Sequence, residues 1–335
     1  MRRLLRIVPA YWLALTVLTY IFHVVDIGPG IGNIVTHYLF LQIYFPTSVG
    51  FGIGQAWTLC TEMSFYLVLP LVAAVIGMRR KGQTNQFVRE LFGIATLYLM
   101  SMGFLWWWRH LLVTKMIGGQ LQANCYPHCA AHVPISMLMN LWLPAQLNLF
   151  ALGMLLAALS AWWTERDSEP LWLSNRWMPW FSWIAAGLAF WCVSHLGVPT
   201  SPIFLVSSTV TLEMQALYGV FAFLLLLPAV FGPDDRSLVR RFLRCWPVAS
   251  IGVVSYGIYL WHEGVTTQFM SWTGYSLFTV PLVYLFPAVF AISTVVACIS
   301  YFGLEKPILR FKGRLGWWNR PPGPVSGQDI EVLSK

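Results

Sequence analysis

The stretch Gln55-Ala-Trp-Thr-Leu-Cys-Thr-Glu62-Met-Ser-Phe-Tyr66-Leu-Val-Leu-Pro70 decides how the chain is read. It opens an apolar run that continues to Gly77, long enough to cross a bilayer as a helix. Within that run sits one carboxylate, Glu62. A charge in the hydrocarbon interior costs about 3 kcal/mol even on lenient scales, so it is kept where it has a partner or a task. Helical spacing puts Thr58, Glu62 and Tyr66 on one face. Taken alone, Glu62 is either a carboxylate neutralised by a neighbouring helix or a group that does chemistry.

Composition agrees with a membrane setting. Residues are 57% hydrophobic and only 10% charged, with 18 Trp, whereas a soluble domain carries about 25% charged residues. The net charge of +8 does not point to nucleic acid, because the basic residues lie in short clusters between apolar runs. The fold class is all-α, a polytopic transmembrane bundle.

A span needs about 20 mostly apolar residues. Eight segments qualify: Ile7–Val25, Gln55–Gly77, Glu90–Trp108, Leu143–Trp163, Pro179–Gly197, Thr211–Phe231, Ser250–Met270 and Thr279–Gly303. The run Asn33–Phe45 is too short and reads as an interfacial or re-entrant helix. Pro9 is expected near the start of its helix, where it is tolerated. Residues 1–312 form the membrane domain, and the Gly-, Pro- and Arg-rich residues 313–335 form a disordered tail. With the N-terminus inside, the inner segments hold 19 Lys and Arg, against Arg109 and Lys115 outside. That asymmetry places both termini in the cytoplasm. The Trp runs at 106–108, 162–163 and 317–318 read as an aromatic belt.

On this topology Glu62 and His262 lie at similar depth in the outer half of the membrane. Ser255, Tyr259 and His262 share one face of their helix, so two polar stripes predict a hydrated cavity or an interhelical hydrogen bond. A wet histidine there can shuttle a proton, although an interfacial position explains it as well. Arg3 and Arg6 also share a face and could clamp phosphate, yet arginines at inner helix ends commonly just set topology. Arg240, Arg241 and Arg244 fall under that same ordinary explanation. Of the six Cys, Cys60, Cys192, Cys245 and Cys298 read as small core residues. Cys125 and Cys129 flank His128 in a polar loop and suit a disulfide or half a metal site, the latter weakly. No metal spacing, P-loop, nucleophile elbow or internal repeat occurs.

Four stretches in order resemble the acyltransferase type 3 family of bacterial membrane acyltransferases. They are Arg3-Leu-Leu-Arg6-Ile-Val-Pro9-Ala-Tyr11-Trp12, Trp57-Thr-Leu-Cys-Thr-Glu62-Met-Ser-Phe65-Tyr66, Ser255-Tyr256-Gly-Ile-Tyr259-Leu-Trp261-His262 and Glu305-Lys306-Pro307. Asn148-Leu-Phe150-Ala-Leu-Gly153-Met154 also looks like a helix of that family. The resemblance implies a multi-pass enzyme of the bacterial cytoplasmic membrane. It would move an acyl group, commonly acetyl, from cytoplasmic acyl-CoA to a hydroxyl of a glycan, a cell-envelope lipid or a secondary metabolite.

Acyl-CoA is then a donor substrate, and no cofactor is bound permanently. Glu62 and His262 are the implied catalytic pair, Arg3 and Arg6 hold the donor, and Trp57, Tyr66, Tyr256 and Tyr259 line the substrate. The loop between Arg109 and Leu141 is placed to shape acceptor choice. Relatives with the full pattern begin with two further helices and a histidine this chain lacks. The resemblance therefore implies a form shortened at its N-terminus, about ten spans when whole, with its own turnover in question. A proton-coupled transporter or flippase using Glu62 and His262 as a relay is the competing reading.

Overall fold

Long apolar runs leave the backbone no route to satisfied hydrogen bonds in lipid except the helix, and helices are what form. The computed structural model describes residues 2–77, 83–117, 138–166, 170, 172–173, 175–196, 208–231, 238–275 and 279–314. Among these no strand occurs. Cys125 and Cys129, most of the outer loop, Arg79, Arg80, Lys81, Arg236 and the tail beyond Arg314 lie outside the described residues.

The helices are α1 (Arg2–Thr16), α2 (Ile31–Tyr38), α3 (Trp57–Gly77), α4 (Gln83–Ile117), α5 (Leu143–Thr164), α6 (Met178–Ser194) and α7 (Ser208–Val230). They continue with α8 (Leu238–Arg244), α9 (Trp246–Thr273), α10 (Leu282–Ser300) and α11 (Lys306–Arg314). Each of the eight expected spans falls largely on a helix. Six of the described helical segments are long and apolar enough to cross a membrane. The other two depart for different reasons. Helix α6 has only 17 residues, and α9, with 28, is diluted by Ser255, Tyr256, Tyr259, His262, Glu263 and Gln268. Outward-facing Leu67, Leu71 and Val75 on α3 and Phe181, Ile184 and Leu188 on α6 suit a lipid solvent rather than water.

Three expectations need correction. Helix α1 begins at Arg2, so Pro9 lies in its interior, where the ring removes the bond to the Leu5 carbonyl. Helix α4 runs past Trp108 to Ile117, so Arg109 is a helical residue and only 6% exposed, not a loop cation. Cys60 is buried, but Cys192 is exposed and packs in no core. Cys60 is thus the core cysteine, while Cys245, between α8 and α9, and Cys298 of α10 are half-buried.

The chain divides into two compact units, one of residues 26–250 and one of residues 1–25 with 251–335. In the first, α5 packs along α4 and α3, while α7 contacts α4, α5 and α6. Helix α7 ends in its last apolar turn, and Arg240 of α8 closes it. The guanidinium donates to Pro228 O (3.1 Å) and to Phe231 O, satisfying carbonyls that a helix C-terminus leaves orphaned. Arg240 is 4% exposed, so it is a cap rather than the surface topology signal its sequence position suggests.

The segment between α1 and α3 folds as the short α2 and a 3₁₀ turn at Gln42–Tyr44, within the interfacial run foreseen at 33–45. A buried polar knot holds it. His37 Nδ1 lies 2.7 Å from Asn33 O, Ser48 Oγ donates to Asn33 Oδ1 (2.7 Å), and Thr36 Oγ1 donates to Ser48 Oγ (3.0 Å). Gly52 closes the knot at φ +81°, its N–H bonded to Asp26 O at 2.7 Å. A Cβ there would meet the His37 ring at 2.3 Å. Gly52→Ala combines a left-handed backbone with a clash against a fully buried ring. It is expected to destabilise by about 2 kcal/mol, read as a lowered thermal midpoint in detergent.

The second unit is built from α1, α9, α10 and α11. Both α1 and α10 end in one π-helical turn, Val17–Ile21 and Tyr301–Glu305 respectively. Helices α9 and α10 touch closely, because a Cβ on Gly257 would sit 2.8 Å from that of Ala297. Tyr256 Oη donates to Ile7 O at 3.0 Å and fixes α9 against α1.

Candidate functional site

Glu62 lies in the second turn of α3, half-buried, and its Oε1 accepts a hydrogen bond from the Tyr66 hydroxyl. The i, i+4 spacing seen in the sequence is thus a real contact. Neighbours on α3 fix the rotation of the helix. Thr61 Oγ1 donates to Leu141 O at 2.7 Å, Ser64 Oγ pairs with Tyr44 Oη at 2.7 Å, and the Phe65 ring stacks on Phe150 at 4.1 Å. With Thr61 and Phe65 tied to α5 and the segment before it, Glu62 and Tyr66 have a set direction. Oε1 is occupied by Tyr66, which leaves Oε2 to serve a reacting group. Trp57 is the first residue of α3 and half-buried, and Thr58 turns its hydroxyl onto Gln55 O at 3.0 Å.

The other predicted residues belong to the second unit. Arg6 is not a free cation at a helix end. Its Nη2 donates to Val253 O at 2.6 Å, and its Nε lies 3.8 Å from Glu305 Oε2. The Arg6 side chain remains 38% exposed while that of Glu305 is 2% exposed. Arg3 is helical, but its side chain lies outside the described residues. Tyr256 uses its hydroxyl on Ile7 O, so its polar end already has a structural task.

His262 is half-buried on α9, its ring 5.8 Å from that of Tyr259. Nδ1 lies 2.7 Å from Tyr259 O. A carbonyl can only accept, so this contact places the proton on Nδ1 and leaves Nε2 with a lone pair. That tautomer can take a proton from substrate. Ser255, on the same face in the sequence, donates to Gly252 O at 2.9 Å.

Two features were not singled out from sequence. Glu305 was seen only as part of a motif, just beyond the end expected for the last span. The helix continues through it, and burial makes it the partner of Arg6. An uncharged network also crosses α4, α5 and α7. Gln215 Nε2 donates to both Gln146 Oε1 and Asn148 Oδ1 at 3.1 Å, and Ser101 Oγ donates to Asn148 Oδ1 at 3.3 Å. Polar residues in three apolar runs hint at such a network, but their phases around three helices cannot be matched without the packing. Among the described residues no three His, Cys, Asp or Glu side chains gather to hold a metal ion.

A family model described as an acyltransferase domain matches residues 1–302. The chain belongs to the acyltransferase type 3 family. Neither a curated protein nor a solved structure matches it. The matched segment starts at residue 1, and nothing in the match supports the expected loss of two spans. As an acyltransferase of the membrane, the protein needs a group to activate its acceptor. Glu62 with Tyr66, and His262 with Nδ1 on the Tyr259 carbonyl, are two described arrangements chemically suited to that step.

Proposed function

We propose that this acyltransferase moves an acyl group, acetyl in the simplest case, from acyl-CoA to an acceptor hydroxyl. The acceptor class is a glycan, a cell-envelope lipid or a secondary metabolite. The setting is the bacterial cytoplasmic membrane, with both termini inside, as the 19 inner and two outer basic residues favour. Arg3 and Arg6 lie at the inner end, where they can meet the phosphates of CoA. Trp57, Tyr66, Tyr256 and Tyr259 offer aromatic faces to the substrates.

The observation that carries this reading is the oriented carboxylate of Glu62 within an acyltransferase domain. The acceptor oxygen attacks the thioester carbonyl and its proton passes to Glu62 or to Nε2 of His262. The tetrahedral oxyanion collapses, the C–S bond breaks, and the proton leaves with the CoA thiol. The Tyr66 hydroxyl holds the base in place, as an oriented base contributes far more than a mobile one.

Mass spectrometry of envelope glycans, lipids and metabolites, with and without the gene, tests the reading. One acyl group present in the parent and missing from the deletion strain is the expected result. Identical acylation in both strains would overturn it.

A further inference from the structure

Three helices of the second unit line a partly open cavity of about 110 Å³. Leu18, from the π-helical turn after α1, forms one wall. Trp261, Gly264 and Val265 of α9 form the second, and Ile292 and Val296 of α10 the third. Gln268 of α9 also borders it, but the surface exposed inside is apolar. Such a cavity repels water and takes hydrocarbon, as a dry apolar cavity of about 150 Å³ takes benzene. By proportion this one holds about four carbon atoms.

The cavity's place on α1 and α9 suggests what fills it. Arg6 and Leu18 are twelve residues apart on one helix, about 18 Å at 1.5 Å per residue. That is comparable to an extended pantetheine arm, so phosphates held at Arg6 would bring the thioester near Leu18. His262 is the residue after Trp261, which lines the cavity. Gly264 is required there, because a Cβ would lie 2.4 Å from Leu18 Cδ2 and push that side chain into the space. The wall is thus shaped around Leu18, and the volume depends on it.

We infer that this cavity receives the acyl chain of the donor and selects a short chain of about four carbons over acetyl. The inference rests on acyl-CoA being the donor. The remaining hydrocarbon source, a bilayer lipid tail, is separated by experiment.

Binding of CoA, acetyl-CoA, butyryl-CoA and hexanoyl-CoA is measured by calorimetry on the purified full chain in lipid nanodiscs. Butyryl-CoA carries two more methylenes than acetyl-CoA and is expected to bind about tenfold tighter. Hexanoyl-CoA gains nothing further. Val296→Phe fills the cavity and removes the butyryl advantage while CoA itself binds as before. Val296→Ala enlarges it and moves the preference toward hexanoyl-CoA, which keeps the test decisive should the Phe variant fold poorly. Equal affinity for the acyl-CoAs, with CoA still bound, overturns the cavity assignment alone. No binding of CoA or any thioester overturns the donor reading beneath it. Loss of a co-purifying phospholipid in Val296→Phe, with the acyl-CoA preference intact, gives the cavity to the bilayer and overturns the proposal.

Discussion

Glu62→Gln is expected to lower acyl transfer by a factor of about 10² to 10⁴, the range that a positioned general base contributes. The substitution is nearly isosteric, and the amide oxygen can still accept from the Tyr66 hydroxyl, so the helix keeps its local bond. What disappears is the capacity to take a proton. The unfolding midpoint should therefore stay near that of the parent while the rate of CoA release collapses. Tyr66→Phe separates orientation from proton transfer. It leaves the carboxylate in place without its donor, and a loss nearer tenfold is expected, the order of one hydrogen bond to a charged group. Unchanged CoA release in Glu62→Gln would remove Glu62 from the chemistry and leave it a structural carboxylate. His262 would then be the first candidate for the base.

Arg6→Ala is expected to destabilise the second unit by about 3 kcal/mol. Glu305 is almost fully buried, whereas Arg6 is partly open to solvent. Removing the cation strands a buried carboxylate, and the Val253 carbonyl loses its donor as well. Removing the charge of Glu305 instead, as Glu305→Gln, leaves a cation that can still reach water, so a much smaller loss is expected. The double variant Arg6→Ala/Glu305→Gln should recover a large part of the stability lost in Arg6→Ala, because no charge is left buried. Tryptophan-fluorescence melts of the four proteins close this cycle. Strict additivity would show that the pair is not coupled.

The pair also changes how donor binding must be tested. Loss of CoA binding in Arg6→Ala alone would reflect a damaged unit as readily as a lost phosphate contact. Glu305→Gln keeps the guanidinium and is expected to keep CoA binding, and Arg6→Lys keeps the charge but not the planar fork. A drop in CoA affinity in Arg6→Lys at unchanged melting would mark bidentate phosphate recognition.

Much of this molecule was written locally. Hydrophobic run length placed every expected span on a helix, because a bilayer allows an apolar segment few alternatives. The Glu62–Tyr66 contact was also legible, since residues four apart on a helix meet whatever surrounds them. Limits of elements were less so. Helix α4 carries Arg109 beyond the expected end, because tertiary packing can bury a cation that run length assigns to a loop. Helix α1 likewise begins before its apolar run and takes Pro9 into its interior.

What only the tertiary structure decided are the long-range pairings. Arg6 with Glu305 and Gln215 with Asn148 join residues far apart in sequence, and Arg240 of one helix caps the end of the one before it. Each depends on the rotation of two helices about their axes, and periodicity fixes a face without saying what faces it. The polar knot of His37, Asn33 and Ser48 was hidden for the same reason, in a segment too short for its pattern to be informative. The sequence by itself determined a helical membrane protein with a carboxylate committed inside it, because burying charge and backbone in lipid is so costly. The packing decided which charges are matched and where carbon-lined space remains, because those depend on distances that no one-dimensional pattern contains.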